Sequence, residues 1–196
     1  MTDDRLRRWL QLLLATPGLT SISDPDEAWR VHVEQSLEPL EVVRRLNGPI
    51  VDVGSGGGAP GIPLAAALPE REVTLLESSA RKAAFLGRAV TEFPNVRVVR
   101  GRAEEQEVER FGVAVAKALA PPAVAVEWCL PLVDVGGAAL LYVGPSADAA
   151  VVDSAARQLG GAPAERHGGA LLVRKVEPTP AGFPRRAGIA RKRPLA

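Results

Sequence analysis

The chain has 196 residues, 46% of them hydrophobic and 24% charged, with a formal net charge of +1, which is ordinary for a soluble globular protein long enough to bury a core as one domain. No apolar run approaches the ~20 residues needed to span a bilayer, and the charged start (Asp3, Asp4, Arg5, Arg7, Arg8) carries no signal-peptide apolar region. One cysteine, Cys129, excludes an internal disulfide and a cysteine metal cage, so the expectations are a cytoplasmic protein with no membrane partner and no metal site.

Residues 4–15 place Leu6, Trp9, Leu10, Leu13 and Leu14 at i, i+3, i+4, i+7 and i+8, the stripe of an amphipathic helix. Pro17-Gly18 ends it. Asp24 or Ser23 is placed to cap a second helix from about Pro25 to Leu46, which Pro39 bends or breaks. The period then changes. Short apolar runs at 49–54, 72–77, 95–101, 111–118 and 136–144 read as strands, with helical segments at 60–68, 78–91 and 121–133 between most of them. A helix over 146–159 and a strand over 169–176 close the pattern. Apolar strands alternating with helices predict a doubly wound, mostly parallel α/β sheet covered on both faces. The expected organisation is a helical extension over 1–47, a Rossmann-like core over 48–177 and a basic tail over 178–196, all forming a single domain. The tail holds Arg185, Arg186, Arg191, Lys192 and Arg193 and no acid, which leaves 19 basic against 23 acidic residues, about −4, in the rest. That asymmetry hints at a polyanionic partner.

Behind the first strand stands "GSGGGA", fitting G-x-G-x-x-[GA] with Gly54, Gly56 and Ala59 at the marked places and Ser55 between the first two. Glycines here permit a tight turn and close approach of a ligand to the backbone. Glu77 ends the second strand 23 residues after Gly54, where a ribose-hydroxyl acceptor belongs. Nicotinamide dinucleotides and S-adenosylmethionine share this geometry. A pyrophosphate needs free N–H groups at the helix N-terminus, and Pro60 and Pro63 remove donors from that turn. Asp52 suits an amine-bearing cationic ligand such as the methionine part of S-adenosylmethionine, or else is a carboxylate bonded to nearby backbone N–H groups.

"DVGSGGGAPGIPLA" (52–65), "TLLESSARKAAFL" (74–86) and "GRAEE" (101–105), with "GLTSISDP" (18–25), "HVEQSL" (32–37) and "PRRAGIARKRPL" (184–195), resemble the ribosomal RNA small-subunit methyltransferase G family, also called glucose-inhibited division protein B. The resemblance spans nearly the whole chain. It implies a class I S-adenosylmethionine-dependent methyltransferase fold, transfer of a methyl group to N7 of a guanosine in 16S ribosomal RNA, and the small ribosomal subunit as partner. It puts cofactor contacts on Gly54, Ala59, Glu77, Ser78, Ser79, Ala103, Glu104 and Lys117. Lys117 stands where the family has arginine, keeping the charge without the planar fork; Gly18 and Gln35 replace the usual asparagine and aspartate.

The residues suit that chemistry. Guanine N7 is a lone-pair acceptor with no proton to remove, so methyl transfer needs alignment rather than a general base, and no catalytic dyad is evident. Cytosine-C5 methylation needs an activated cysteine, whereas Cys129 in "EWCLPL" reads as a core thiol. Amino-group methylation of adenine commonly uses [DN]-P-P-[FYW], and "LAPPAV" (119–124) lacks both flanking groups. His32 orients a base or phosphate, or packs a helix; His167 in "ERHGG" reads as hairpin surface. Arg185, Arg186, Arg191, Lys192 and Arg193 are the expected phosphate contacts, joined by Arg81, Lys82 and Lys117. With aromatics at 4%, recognition of folded RNA shape is expected over a stacking platform. A monomer is expected, and deletion of 184–196 is expected to weaken RNA binding and spare the cofactor. The alternatives are a nicotinamide-dependent oxidoreductase and an RNA chaperone that binds cofactor without catalysis.

Overall fold

The computed structural model describes residues 3–144 and 146–196. Among these, seven strands form one sheet: β1 (Ile50–Val53), β2 (Val73–Glu77), β3 (Val96–Arg100), β4 (Phe111–Lys117), β5 (Val133–Tyr142), β6 (Glu165–His167) and β7 (Ala170–Arg174). Their order is β3-β2-β1-β4-β5-β7-β6. Strands β1 to β5 are parallel, β7 runs against β5, and β6 against β7. The chain winds outward from β1 to β3, then crosses back to β4 on the other side of β1. Neighbouring connections therefore part at β1/β4, where a doubly wound sheet opens a crevice beyond its strand C-termini.

Period-two alternation explains both covered faces. Ile50, Val73, Leu75, Val113, Val115, Leu140 and Leu172 join one core cluster, while Val51, Val53, Leu76, Ala114, Ala116, Leu141, Leu171 and Val173 join the other. The first is roofed by the N-terminal helices with α5 (Gly61–Ala67) and α6 (Ala80–Ala89); the second by α7 (Pro122–Cys129) and α8 (Ala149–Arg157). Helix α7 is buried all round from Ala123 to Cys129, apolar but for Glu127, whose carboxylate is paired. Within it Cys129 is fully buried, and burial pushes its thiol up, so the core reading of that cysteine holds.

Helix α1 (Asp4–Leu14) buries Leu6, Trp9, Leu10 and Leu13 and is capped by the Asp3 carboxylate on the Arg5 N–H. The second predicted helix is a composite. Asp24 caps α2 (Pro25–Trp29), Arg30–Glu34 widens into a π-helical turn, α3 (Gln35–Leu37) follows, and Pro39 separates it from α4 (Leu40–Arg44). The widened turn left no periodicity signal, whereas the break at Pro39 was readable.

Strand β5 begins at Val133 rather than near 136, and β6 is a short edge strand that the runs of apolar residues did not reveal. The tail is not a loose arm. Lys175, almost wholly buried, donates from Nζ to the Leu130 and Leu159 carbonyls and to Thr179 Oγ1. Beyond it the chain turns back over α7 and forms α9 (Ile189–Lys192), whose Ala190 enters the second core. No described helix is long and apolar enough to cross a membrane.

Candidate functional site: two cavities at the strand C-termini

The glycine turn after β1 is shaped by three left-handed residues, Gly54 (φ +71°), Gly56 (+54°) and Gly58 (+104°), a conformation that only glycine adopts without strain. It is held from outside. Trp9 Nε1 donates to the Gly57 carbonyl at 2.9 Å, and a Cβ on Gly57 would lie 2.6 Å from Leu13 Cδ1. It is also held from within: Glu77 takes the Gly56 N–H at 3.0 Å on Oε2 and the Ser79 N–H at 2.7 Å on Oε1. Trp9 and Leu13 were read from the sequence only as a helix stripe; their contact with the turn depends on tertiary packing.

The first turn of α5 has no donor left for an anion. Pro60 and Pro63 have no N–H, Gly61 N–H is spent on Asp52 Oδ2 at 3.0 Å, Ile62 N–H on the Gly58 carbonyl, and Leu64 N–H on the Pro60 carbonyl. A pyrophosphate needs several such groups free. A nucleoside without phosphates does not, and the donor set therefore fits S-adenosylmethionine and disfavours a dinucleotide.

Asp52 is 1% exposed, and its Oδ1 has no hydrogen-bond partner among the described residues. Burial pushes its carboxyl up to about 7. Both sequence readings of Asp52 thus have a footing: one oxygen is bonded to backbone, and the other is unclaimed.

Beyond the strand ends lies a cavity of about 260 Å³. Val53, Leu76, Ala103, Leu119 and Trp128 give it apolar walls, while Gly54, Ser78, Arg102 and Glu104 add polar groups. It spans the ends of β1 and β2 and the loops after β3 and β4, as a nucleoside site of this topology requires. Of the predicted cofactor residues, Gly54, Ser78, Ala103 and Glu104 line it directly. Gly56, Glu77 and Ser79 shape its edge through the bonds above, Ser79 also capping α6 by accepting the Lys82 N–H. Ser55 is buried with Oγ donating to the Asp52 carbonyl, and Ala59 packs against the first core.

Lys117 belongs to a second cavity, of about 460 Å³, bounded by Gln35, Glu38, Lys117, Ala118, Tyr142 and Gly169. Lys117 Nζ donates to the Val31 carbonyl in the π-helical turn, and the Tyr142 hydroxyl to the Ser36 carbonyl at 2.6 Å. These bonds stitch the N-terminal helices to the ends of β4 and β5. Burial lowers the Lys117 pKa, with the Glu38 and Asp52 carboxylates opposing it. His32 meets Thr20 Oγ1 at 3.1 Å, and burial, then Lys117, lowers its pKa, so near neutrality it is an uncharged helix-packing group. Ala118, next to Lys117, sits at φ +52°, a strained conformation for a non-glycine residue; no sequence signal marked it.

The predicted RNA-contacting cations divide. Arg186, Arg191, Lys192 and Arg193 are exposed on the tail. Arg185 is turned inward, with Nε and Nη2 each 2.5 Å from a carboxylate oxygen of buried Glu127. Arg191 lies over the Trp128 ring, 5.2 Å from its centroid. Arg81 reaches the Pro17 carbonyl at 3.1 Å. The tail also reaches the strand ends, where Gly188 and Arg191 line the 260 Å³ cavity. His167 is not hairpin surface: it ends strand β6, half-buried, before the Gly168-Gly169 turn. No group of three or more His, Cys, Asp or Glu placed to hold a metal ion occurs among the described residues.

The model of the family described as rRNA small subunit methyltransferase G matches residues 4–159. This chain belongs to that family. A relative of that name from Roseiflexus castenholzii is 40% identical over 196 residues, covering 91% of this chain and 84% of its own. Another, from a Synechococcus species, is 36% identical over 221 residues, covering 98% and 85%. Among solved structures, an MtNAS variant in complex with S-adenosylmethionine superposes with TM-score 0.59 at 18% identity, covering 89% of this chain and 73% of that one. A T. thermophilus 16S rRNA methyltransferase in complex with AdoMet and guanosine gives TM-score 0.54 at 18% identity, covering 74% and 39%. At such identities the likeness is one of fold: the chain has the class I methyltransferase architecture.

Proposed function

We infer that this chain is an S-adenosylmethionine-dependent methyltransferase of 16S ribosomal RNA, acting at guanine N7. The observation that carries the cofactor class is the fully committed first turn of α5, beside an apolar nucleoside-sized cavity; the family supplies the rRNA substrate. When bound, S-adenosylmethionine supplies an electrophilic sulfonium methyl, and its transfer to N7 breaks one C–S bond and forms one N–C bond with no proton to move. The protein's part is then alignment and exclusion of water. The glycine turn, clamped by Trp9 from one side and Glu77 from the other, is preformed. Glu77 retains lone pairs for a ribose hydroxyl, and the unclaimed Asp52 oxygen is an acceptor for an amine. Lys117, on the wall of the second cavity, offers a cation to a carboxylate. The second cavity, lined by Tyr142, Ala118 and the exposed Glu38, is the proposed seat of an extruded target base.

The exposed cations Arg186, Lys192 and Arg193 hold RNA phosphates in this reading, giving affinity that falls with salt and carries little sequence choice. Extension, core and tail act as a single domain, and the protein works as a monomer in the cytoplasm. Its exposed large hydrophobics are separate valines (Val108, Val135, Val151, Val176), which supports the monomer reading.

The test uses small subunits from cells lacking this protein, incubated with it and S-adenosylmethionine carrying a labelled methyl group. One labelled N7-methylguanosine in 16S rRNA is expected. Cofactor binding without transfer would favour the chaperone reading, and binding of NADH instead would favour an oxidoreductase.

A further inference from the structure

We propose that the C-terminal segment completes the nucleoside end of the cofactor site, with Arg191 as a cofactor-binding residue; this rests on the S-adenosylmethionine reading above. Four anchors bring the segment there. Arg185 forms the two-pronged ion pair with Glu127, which is 2% exposed on its side chain. The same guanidinium donates to the Arg193 carbonyl at 2.8 Å, fixing the end of α9. The Gly188 N–H donates to Glu104 Oε1 at 3.2 Å, on the loop that follows β3. Arg191 donates from Nη2 to the Leu119 carbonyl at 3.4 Å while its guanidinium covers Trp128. The last two anchors join three separate walls of the cavity: the loop after β3, the loop after β4, and α7.

The cavity chemistry says which end of the ligand meets this wall. Around Arg191 stand Leu119 and Trp128, with Val53, Leu76 and Ala103 completing an apolar slot suited to a flat purine. The charged groups that suit the amino-acid end, Asp52 and Lys117, belong to the opposite face of the sheet, where residues of their parity join the first core. Trp128, 9% exposed, also keeps its indole Nε1 buried without an acceptor among the described residues, and a purine ring carries ring-nitrogen acceptors. A guanidinium plane stacks on aromatic faces of side chain or base alike. Arg191 therefore serves the cofactor, and the neighbouring exposed cations remain for RNA.

Arg191→Ala, Lys192→Ala and the unaltered protein are titrated calorimetrically with S-adenosylhomocysteine and with adenosine, and their ligand-free melting temperatures are measured. Arg191→Ala is expected to weaken both ligands by up to about fivefold, on the scale of a cation–π contact at an exposed site, with its ligand-free melting temperature nearly unchanged. Lys192→Ala, one residue along and assigned to RNA rather than cofactor, is expected to lower RNA affinity while binding both of these ligands as the unaltered protein does. A chain ending at Phe183 is expected to lose more than Arg191→Ala does. Equal affinity in Arg191→Ala overturns the assignment, as does an equal loss in Lys192→Ala, which would report general charge. A loss for S-adenosylhomocysteine without a loss for adenosine places Arg191 at the wrong end and overturns it too. If the unaltered protein takes up neither ligand, the cofactor reading itself fails, an outcome separate from the others.

Discussion

Both chain ends lie outside the α/β core, and both reach the same strand ends from opposite faces. They are attached by different physics. Helix α1 is fastened chiefly by four buried apolar side chains, with Trp9 donating to the Gly57 carbonyl and Arg5, Arg7 and Arg8 adding half-exposed contacts to Phe93, Trp29 and Glu92 at its outer edge. The tail is fastened chiefly by charge: Arg185 to Glu127, Arg191 over Trp128, and one amide to Glu104. Apolar burial is insensitive to salt and does not depend on a single partner. Ion pairs and cation–π contacts are local, screened, and lost when one group is removed. The glycine turn thus has a permanent support, and the opposite wall of the cavity has a releasable one.

The sharpest way to break this contrast is Trp9→Ala. Removing a fully buried indole is expected to cost about 3–5 kcal/mol, and a denaturant titration should show it together with weakened cofactor binding. Little loss of stability would mean that α1 is an appendage. Next in size is the tail: Arg185→Ala strands the Glu127 carboxylate, a change that costs about 3 kcal/mol if Glu127 stays buried and less as water reaches it. Protection of amides in α9 from hydrogen exchange should fall while that of α1 is unchanged.

Gly56→Val tests the turn itself. A Cβ there would meet only the Gly54 carbonyl oxygen, at 3.7 Å, so space is not the obstacle. The obstacle is φ of +54° in a β-branched residue, about 1–3 kcal/mol of strain. Calorimetry should find cofactor affinity lost; unchanged affinity would remove the turn from the site.

Asp52→Asn gives an effect whose size is set by pH, nil in acid and growing toward neutrality. A carboxyl raised to about 7 in the fold, against 3.8 ordinarily, holds its proton longer folded than unfolded. It therefore costs no stability below pH 4 and progressively more from pH 4 to 7, at most about 1.4 kcal/mol per pH unit. Asparagine keeps the acceptor for Gly61 N–H and should flatten that slope in ligand-free protein. The smallest effect is expected from Arg186→Ala with Lys192→Ala and Arg193→Ala. Together these should lower the slope of log RNA affinity against log salt by up to about 3 without moving the melting temperature.

The strands, the glycine turn and α1 were legible because each depends on local rules: period two for buried strands, φ freedom at Gly54 and Gly56, and a 3.6 stripe at Leu6, Trp9, Leu10 and Leu13. The scarcity of donors in the first turn of α5 was half legible, from Pro60 and Pro63; the commitment of Gly61 to Asp52 required the fold. The site was read less well where residues distant in sequence meet. Arg185 sits in a run of like charges and reads as a solvated cation, because its partner Glu127 lies 58 residues away in an apolar helix. The strain at Ala118 had no local cause to find.

Where the core ends and the tail begins, Thr179 is pinned twice, by the Lys175 ammonium through its hydroxyl and by Glu109 through its amide, at 2.7 and 2.6 Å. A released tail is consequently a leash with a fixed post. The 12 residues from 180 to 191 extend at most about 40 Å, so even with its later contacts broken the segment keeps Arg191 within that distance of Thr179.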